Sequence, residues 1–122
     1  MIDHPEIVDY AKKAFGKFGD VLPDTMSAFG KLQQTTFRDG ALDIKTKELI
    51  ALGISVAQGC DGCMAWHSAA LNDLGVSREE AAEALGVAVE MGGGVALYSA
   101  AKAMDGYDQF LSARSGGKDT VG

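Results

Sequence analysis

Residues 43–75 read DIKTKELIALGISVAQGCDGCMAWHSAALNDLG, and this stretch decides the fold. Asp43 is an N-cap type of residue, and Ile44 to about Ala57 suits one helix. After Glu48 that helix is apolar nearly all round (LIALGISVA), which predicts burial. Gln58-Gly59 breaks it. A second helix follows from about Asp61 to Leu74 and stops at Gly75, the residue type that takes a left-handed C-cap. A break this short should fold the two helices against each other.

Outward from this pair the periodicity stays helical. Ile7, Val8, Ala11, Ala14, Phe15 and Phe18 recur at three- and four-residue steps, giving an amphipathic first helix that should fade at Gly16-Lys17-Phe18-Gly19. Leu22-Pro23-Asp24 restarts a helix with proline in its first turn, where the missing N–H does no harm. Met26, Phe29 and Leu32 form its apolar stripe, and Arg38-Asp39-Gly40 ends it. Downstream, Ser77-Arg78-Glu79-Glu80 reads as a capping box. The helix it opens reaches Met91. Gly92-Gly93-Gly94 either interrupts it or admits another backbone, and Val95 to about Leu111 forms a last helix. No alternating run supports a strand. The expectation is an all-α single domain of about six helices over residues 1–111, with a flexible Ser/Gly/Lys/Asp-rich tail over 112–122.

Composition narrows the function. The 122 residues are 47% hydrophobic and 23% charged, which excludes wholesale disorder. A net charge of −6 argues against nucleic acid as a partner. The longest charge-free runs, Leu49 to Cys60 and Met91 to Ala101, are too short to span a bilayer, so no membrane is expected. The opening MIDHPEIVDYAKK has no apolar core and does not read as a signal peptide. Together with a single close cysteine pair, this points to the cytoplasm. Alanine-rich helices with 7% aromatics give one subunit a thin core, which favours a homo-oligomer.

Chemistry concentrates on one helix face. Cys60, Cys63 and His67 stand at i, i+3 and i+7 and share that face. Cys60 falls at the helix N-terminus, where unpaired N–H groups favour a thiolate. His67 sits one turn beyond Cys63 and can serve it as a base. Glu48 shares its face with Ile44, Ala51, Leu52 and Ser55, which suits a buried carboxylate to proton transfer. The break at Gln58-Gly59 should carry it toward the cysteines. Blander readings stand beside these: a chance Cys-x-x-Cys, a structural histidine, and Glu48 paired with Lys45 on a solvated edge. Zinc is a sharper competitor, since Cys60, Cys63, His67 and Glu48 make four ligands, but three on one helix face close a tetrahedron awkwardly.

Glu48, eleven intervening residues, Cys60-Asp61-Gly62-Cys63, three more residues and His67 make an E-x11-C-x-x-C-x3-H pattern. It resembles the carboxymuconolactone decarboxylase superfamily, in its alkylhydroperoxidase D-like branch. The likeness continues through LNDLGVSREEAAEAL and MGGGVALYSAAKA, from about Phe37 to Phe110. It implies an all-helical fold, a homotrimer or homohexamer, and thiol-dependent peroxidase or disulfide-reductase chemistry. On that pattern Cys63 attacks the peroxide, Cys60 resolves the sulfenic acid into a Cys60–Cys63 disulfide, and Glu48 with His67 relays the proton. A dithiol partner, lipoyl or thioredoxin-like, would restore the thiols, with no metal or organic cofactor required. Gly62 stands where some peroxidase members carry histidine. The decarboxylases that name the superfamily lack the cysteine pair, so lactone decarboxylation is the weaker expectation. Two other classes compete with the peroxidase: a disulfide oxidoreductase or redox sensor without peroxide turnover, and a non-catalytic helical assembly module.

Overall fold

The computed structural model describes residues 1–121, with side chains as far as Arg114. Its elements are α1 (His4–Val21), α2 (Pro23–Thr36), α3 (Ile44–Gln58), α4 (Asp61–Asp73) and α5 (Arg78–Val121), and the described residues include no strand. The chain is all-α.

Local chemistry sets most boundaries. Asp43 caps α3 by accepting from Thr46 N at 2.8 Å, and Gly59 closes that helix in the left-handed conformation. The capping box before α5 is reciprocal: Ser77 N donates to Glu80 Oε1 and Glu80 N donates to Ser77 Oγ. Asp3 caps α1 through Glu6 N at 3.0 Å. One boundary differs from expectation. Instead of fading at Gly16–Gly19, α1 runs on to Val21, where the restriction that Pro23 places on the residue before it ends the helix at Leu22.

α5 is two helices. Gly93 takes φ 71 and ψ −150, a conformation closed to residues with a Cβ, and the chain turns there. Arg78 Nε then meets Asp108 Oδ1 at 2.7 Å, although the two residues are 30 apart in sequence. The limbs before and after Gly93 therefore run back along each other, which gives the six helical segments the sequence implies. Tyr107, fully buried on the returning limb, donates its hydroxyl to Val76 O and ties down the turn into α5. Burial raises its pKa, with the nearby Glu80 carboxylate adding to the shift.

The core joins Leu52 and Val56 of α3, Met64 and Leu71 of α4, and Leu85, Ala100 and Tyr107 of α5. By length and composition alone, the stretch Arg78–Arg114 could cross a membrane. Here it folds back at Gly93 and supplies both limbs to this core.

The remaining helices are less covered. α1 packs on α4 and α5, whereas α2 rests on α1 and buries none of its residues completely. The Met26–Phe29–Leu32 stripe is therefore no core stripe, and Phe29 is 55% exposed. α3 also departs from expectation, with one apolar face open to solvent through Ile50 and Ile54, 48% and 52% exposed. Among the described residues α4 and α5 are the helices that pack on α3, and they leave Ile50 and Ile54 exposed. The backbone of the expected tail, 112–122, continues α5 to Val121. Its side chains beyond Arg114, and Gly122, lie outside the described residues.

Candidate functional site

The turn between α3 and α4 builds the site. Cys60 N donates to Ser55 O at 3.0 Å, holding the end of α3 against the start of α4. Cys60 is the N-cap of α4, and its Sγ accepts from Cys63 N at 3.1 Å. A sulfur thus fills the position usually taken by a serine or aspartate oxygen. Cys60 and Cys63 are joined as a disulfide with Cα atoms 5.2 Å apart.

One turn on, His67 Nδ1 lies 2.8 Å from Oε2 of Glu48 on α3. Glu48 is 6% exposed and His67 is partly buried. With Glu48 ionised, the contact is a hydrogen bond donated by Nδ1–H, which leaves Nε2 as the nitrogen able to accept. Phe37, at the end of α2, lies across the imidazole with ring centroids 5.7 Å apart.

Cys60, Cys63 and His67 share a wall of a cavity of about 360 Å³ between α4 and the α1–α2 hairpin. The opposite wall is mostly apolar, with Phe15, Met26 and Phe29 beside Gln33, and Trp66 meets Phe15 edge-on at 5.9 Å. All four residues expected from the sequence are therefore in one place: three line the cavity, and Glu48 stands behind His67. The aromatic wall was not expected. Its signal in the sequence is an amphipathic hairpin whose stripe carries Phe15 and Phe29, which reads equally well as core.

A second unexpected feature lies next to Cys60 in the chain. Asp61, the first residue of α4, pairs with Lys102 of α5 at 2.8 Å, and that hydrogen bond holds the lysine ammonium above its ordinary pKa. Among the described residues, no three His, Cys, Asp or Glu side chains are placed to hold one metal ion.

Comparison with known proteins follows the same lines. Residues 23–106 match the model of the carboxymuconolactone decarboxylase family. An uncharacterized protein of Cupriavidus necator is 38% identical over 96 residues, covering 79% of this chain and 85% of that protein. A carboxymuconolactone decarboxylase family protein of Legionella pneumophila has a crystal structure that superposes with a TM-score of 0.85 at 43% identity, covering 88% of this chain and 96% of the other. A member of the same family from Thermotoga maritima, described as a candidate for involvement in antioxidative response, superposes with a TM-score of 0.70 at 30% identity, covering 75% and 95%.

Proposed function

The chain belongs to the carboxymuconolactone decarboxylase family, and from that premise we propose that it is a thiol-dependent hydroperoxidase of the alkylhydroperoxidase D-like kind. One observation carries the reading: two cysteines and a carboxylate-oriented histidine share the wall of an apolar cavity. The family includes enzymes of more than one chemistry, and this constellation supports thiol chemistry over lactone decarboxylation.

In the proposed cycle, His67 takes the Cys63 thiol proton while Glu48 holds the imidazole in the required tautomer and balances the imidazolium. The thiolate attacks the distal peroxide oxygen. The O–O bond breaks, the departing alkoxide takes the proton from His67, and Cys63 becomes a sulfenic acid. Cys60 then displaces water from that sulfur, closing the Cys60–Cys63 disulfide, the bonded state of this structure. A dithiol partner, lipoyl or thioredoxin-like, reduces the disulfide by exchange and leaves with its own sulfurs bonded. The apolar wall favours an organic hydroperoxide over hydrogen peroxide, since the organic part gains burial against Phe15, Phe29 and Trp66.

Two further statements belong to this proposal. A cytoplasmic location suits a disulfide that must be reduced in every cycle. A homotrimer or homohexamer would cover the apolar groove left between α3 and α5, where Ile50, Ile54, Val87 and Met91 line a hollow of about 420 Å³.

The test is consumption of cumene hydroperoxide and of hydrogen peroxide with dihydrolipoamide or thioredoxin as donor. Turnover by the wild type, faster for the organic peroxide and abolished in Cys63→Ser, supports the proposal. If a disulfide substrate is reduced but neither peroxide is consumed, the protein is a disulfide oxidoreductase using the same thiols.

A further inference from the structure

Asp61 places a carboxylate beside Cys60 in the chain and at the N-terminus of α4. By itself that charge opposes ionisation of the neighbouring thiol. It does not stand alone. Lys102 Nζ lies 2.8 Å from Asp61 Oδ1 and 5.1 Å from the centroid of the Tyr98 ring. The ammonium is therefore held from two sides, by a carboxylate on α4 and by an aromatic face one turn back on α5. The Lys102 side chain is only 21% exposed, whereas its partner Asp61 is 51% exposed.

The pair joins residues 41 apart in sequence. Lys102 reaches α4 from the returning limb of α5, downstream of the Gly93 turn. In the lining of the cavity His67 is the titratable side chain beside the cysteines, and it is paired with Glu48 behind it. The α1 and α2 residues on the cavity wall, Ala11 and Phe15 with Met26, Phe29, Gly30 and Gln33, are all uncharged. Asp61 is the charged side chain next to Cys60 in the chain, and Lys102 is its ion-pair partner.

We propose that Lys102, held in place by Tyr98, is a positioning residue for the dithiol: pairing with Asp61, it cancels the carboxylate beside Cys60 and keeps that thiol ionisable near neutral pH. This rests on the dithiol reading of the site but not on peroxide turnover. Ionisation of Cys60 matters for its attack on the Cys63 sulfenic acid and for its departure during disulfide exchange.

The test uses reduced full-length protein, with the iodoacetamide alkylation rate of each cysteine followed by mass spectrometry across pH. In Lys102→Met, the unpaired carboxylate should move the Cys60 midpoint to higher pH and slow Cys60 alkylation at pH 7 about three-fold. Lys102→Arg should behave as wild type. Asp61→Asn should move the midpoint the other way, because the lysine then acts on the thiol unopposed. Asp61→Asn/Lys102→Met, with neither charge, should return near wild type. A merely structural lysine would not give these opposite signs. An unmoved midpoint in Lys102→Met, or a double variant that behaves like Lys102→Met, would overturn the proposal. Should Lys102→Met lose its helical circular dichroism, Asp61→Asn still decides, since a midpoint that is unchanged or raised there defeats the idea. Variants that show these shifts, with a wild type that consumes no peroxide, would leave this inference standing and remove the peroxidase.

Discussion

His67 Nδ1 and Glu48 Oε2 are 2.8 Å apart across the α3–α4 pair, although they stand 19 positions apart in sequence. The contact orders the proposed relay. In the proposed cycle Glu48 acts on the imidazole, and the imidazole acts on the thiol. A carboxylate on α3 can thus influence sulfur chemistry on α4 without touching a sulfur.

Glu48→Gln is expected to keep the fold and slow sulfenic acid formation by about 10²–10⁴-fold, the range for a positioned acid–base group. Stopped-flow peroxide oxidation of the reduced protein, with circular dichroism as the folding control, measures this. A rate within a factor of two of wild type would make the Glu48–His67 contact purely structural.

Which sulfur attacks is set by two opposing effects. The N-cap position, with Cys63 N–H donating to the Cys60 sulfur, favours Cys60 as the easier thiolate. A base one turn away favours Cys63, and a positioned base outweighs the macrodipole at a helix end. Cys60→Ser should therefore form a dimedone-trappable sulfenic acid at Cys63, while Cys63→Ser should form none. The reverse pattern by mass spectrometry would exchange the two roles.

Gly106 marks a close approach between the start of α1 and the returning limb of α5. A Cβ there would come within 2.5 Å of His4 Cδ2, and the buried His4 is held by Gln109 Oε1, 2.7 Å from its backbone N. Gly106→Ala should displace His4, loosen the start of α1 and cost about 1–3 kcal/mol, as overpacking of a filled site does. Denaturant melts should show Gly106→Ala/His4→Ala recovering part of the loss. A double variant less stable than Gly106→Ala would place the strain elsewhere.

Acid should weaken two caps. Hydrogen bonds from Thr46, the side chain first, hold Asp43 below the ordinary carboxylate pKa, and hydrogen bonding with Ser77, led by its backbone N–H, does the same for Glu80. A lowered folded-state pKa contributes stability that is complete above the unfolded-state value. That stability is lost as pH falls through the folded one. Asp43→Asn and Glu80→Gln should thus be less stable than wild type at pH 7, flatten the decline in acid, and meet the wild type as pH falls. Urea midpoints from pH 6 down to pH 2 test this, and slopes equal to wild type would contradict it.

The open face of α3 leads to an expectation about assembly. Light scattering at micromolar concentration should give a mass of three or six subunits, and Ile54→Asp, placed in the α3–α5 groove, should lower it. A wild type that is a stable monomer would remove the proposed oligomer.

The sequence alone determined the helical class, the paired helices around Gly59 and both capping devices, and it singled out Glu48, Cys60, Cys63 and His67 as the candidates for a site. These are local matters: periodicity, cap chemistry and spacing along one helix act over a few residues and can be read from them. The tertiary structure decided the rest. Whether Phe15 and Phe29 fill a core or wall a cavity depends on what α1 and α2 face, and an amphipathic stripe carries the same pattern in either case. Burial of α3 followed the same rule, since an all-apolar helix is covered only where other helices reach it. The Gly92–Gly94 run signalled a break, but its turn sets Arg78 against Asp108 and lets Lys102 reach Asp61 only because the returning limb packs on α4. Contacts between residues 30 and 41 positions apart leave no periodic trace in a single sequence. They exist only once the core has fixed the path of the chain.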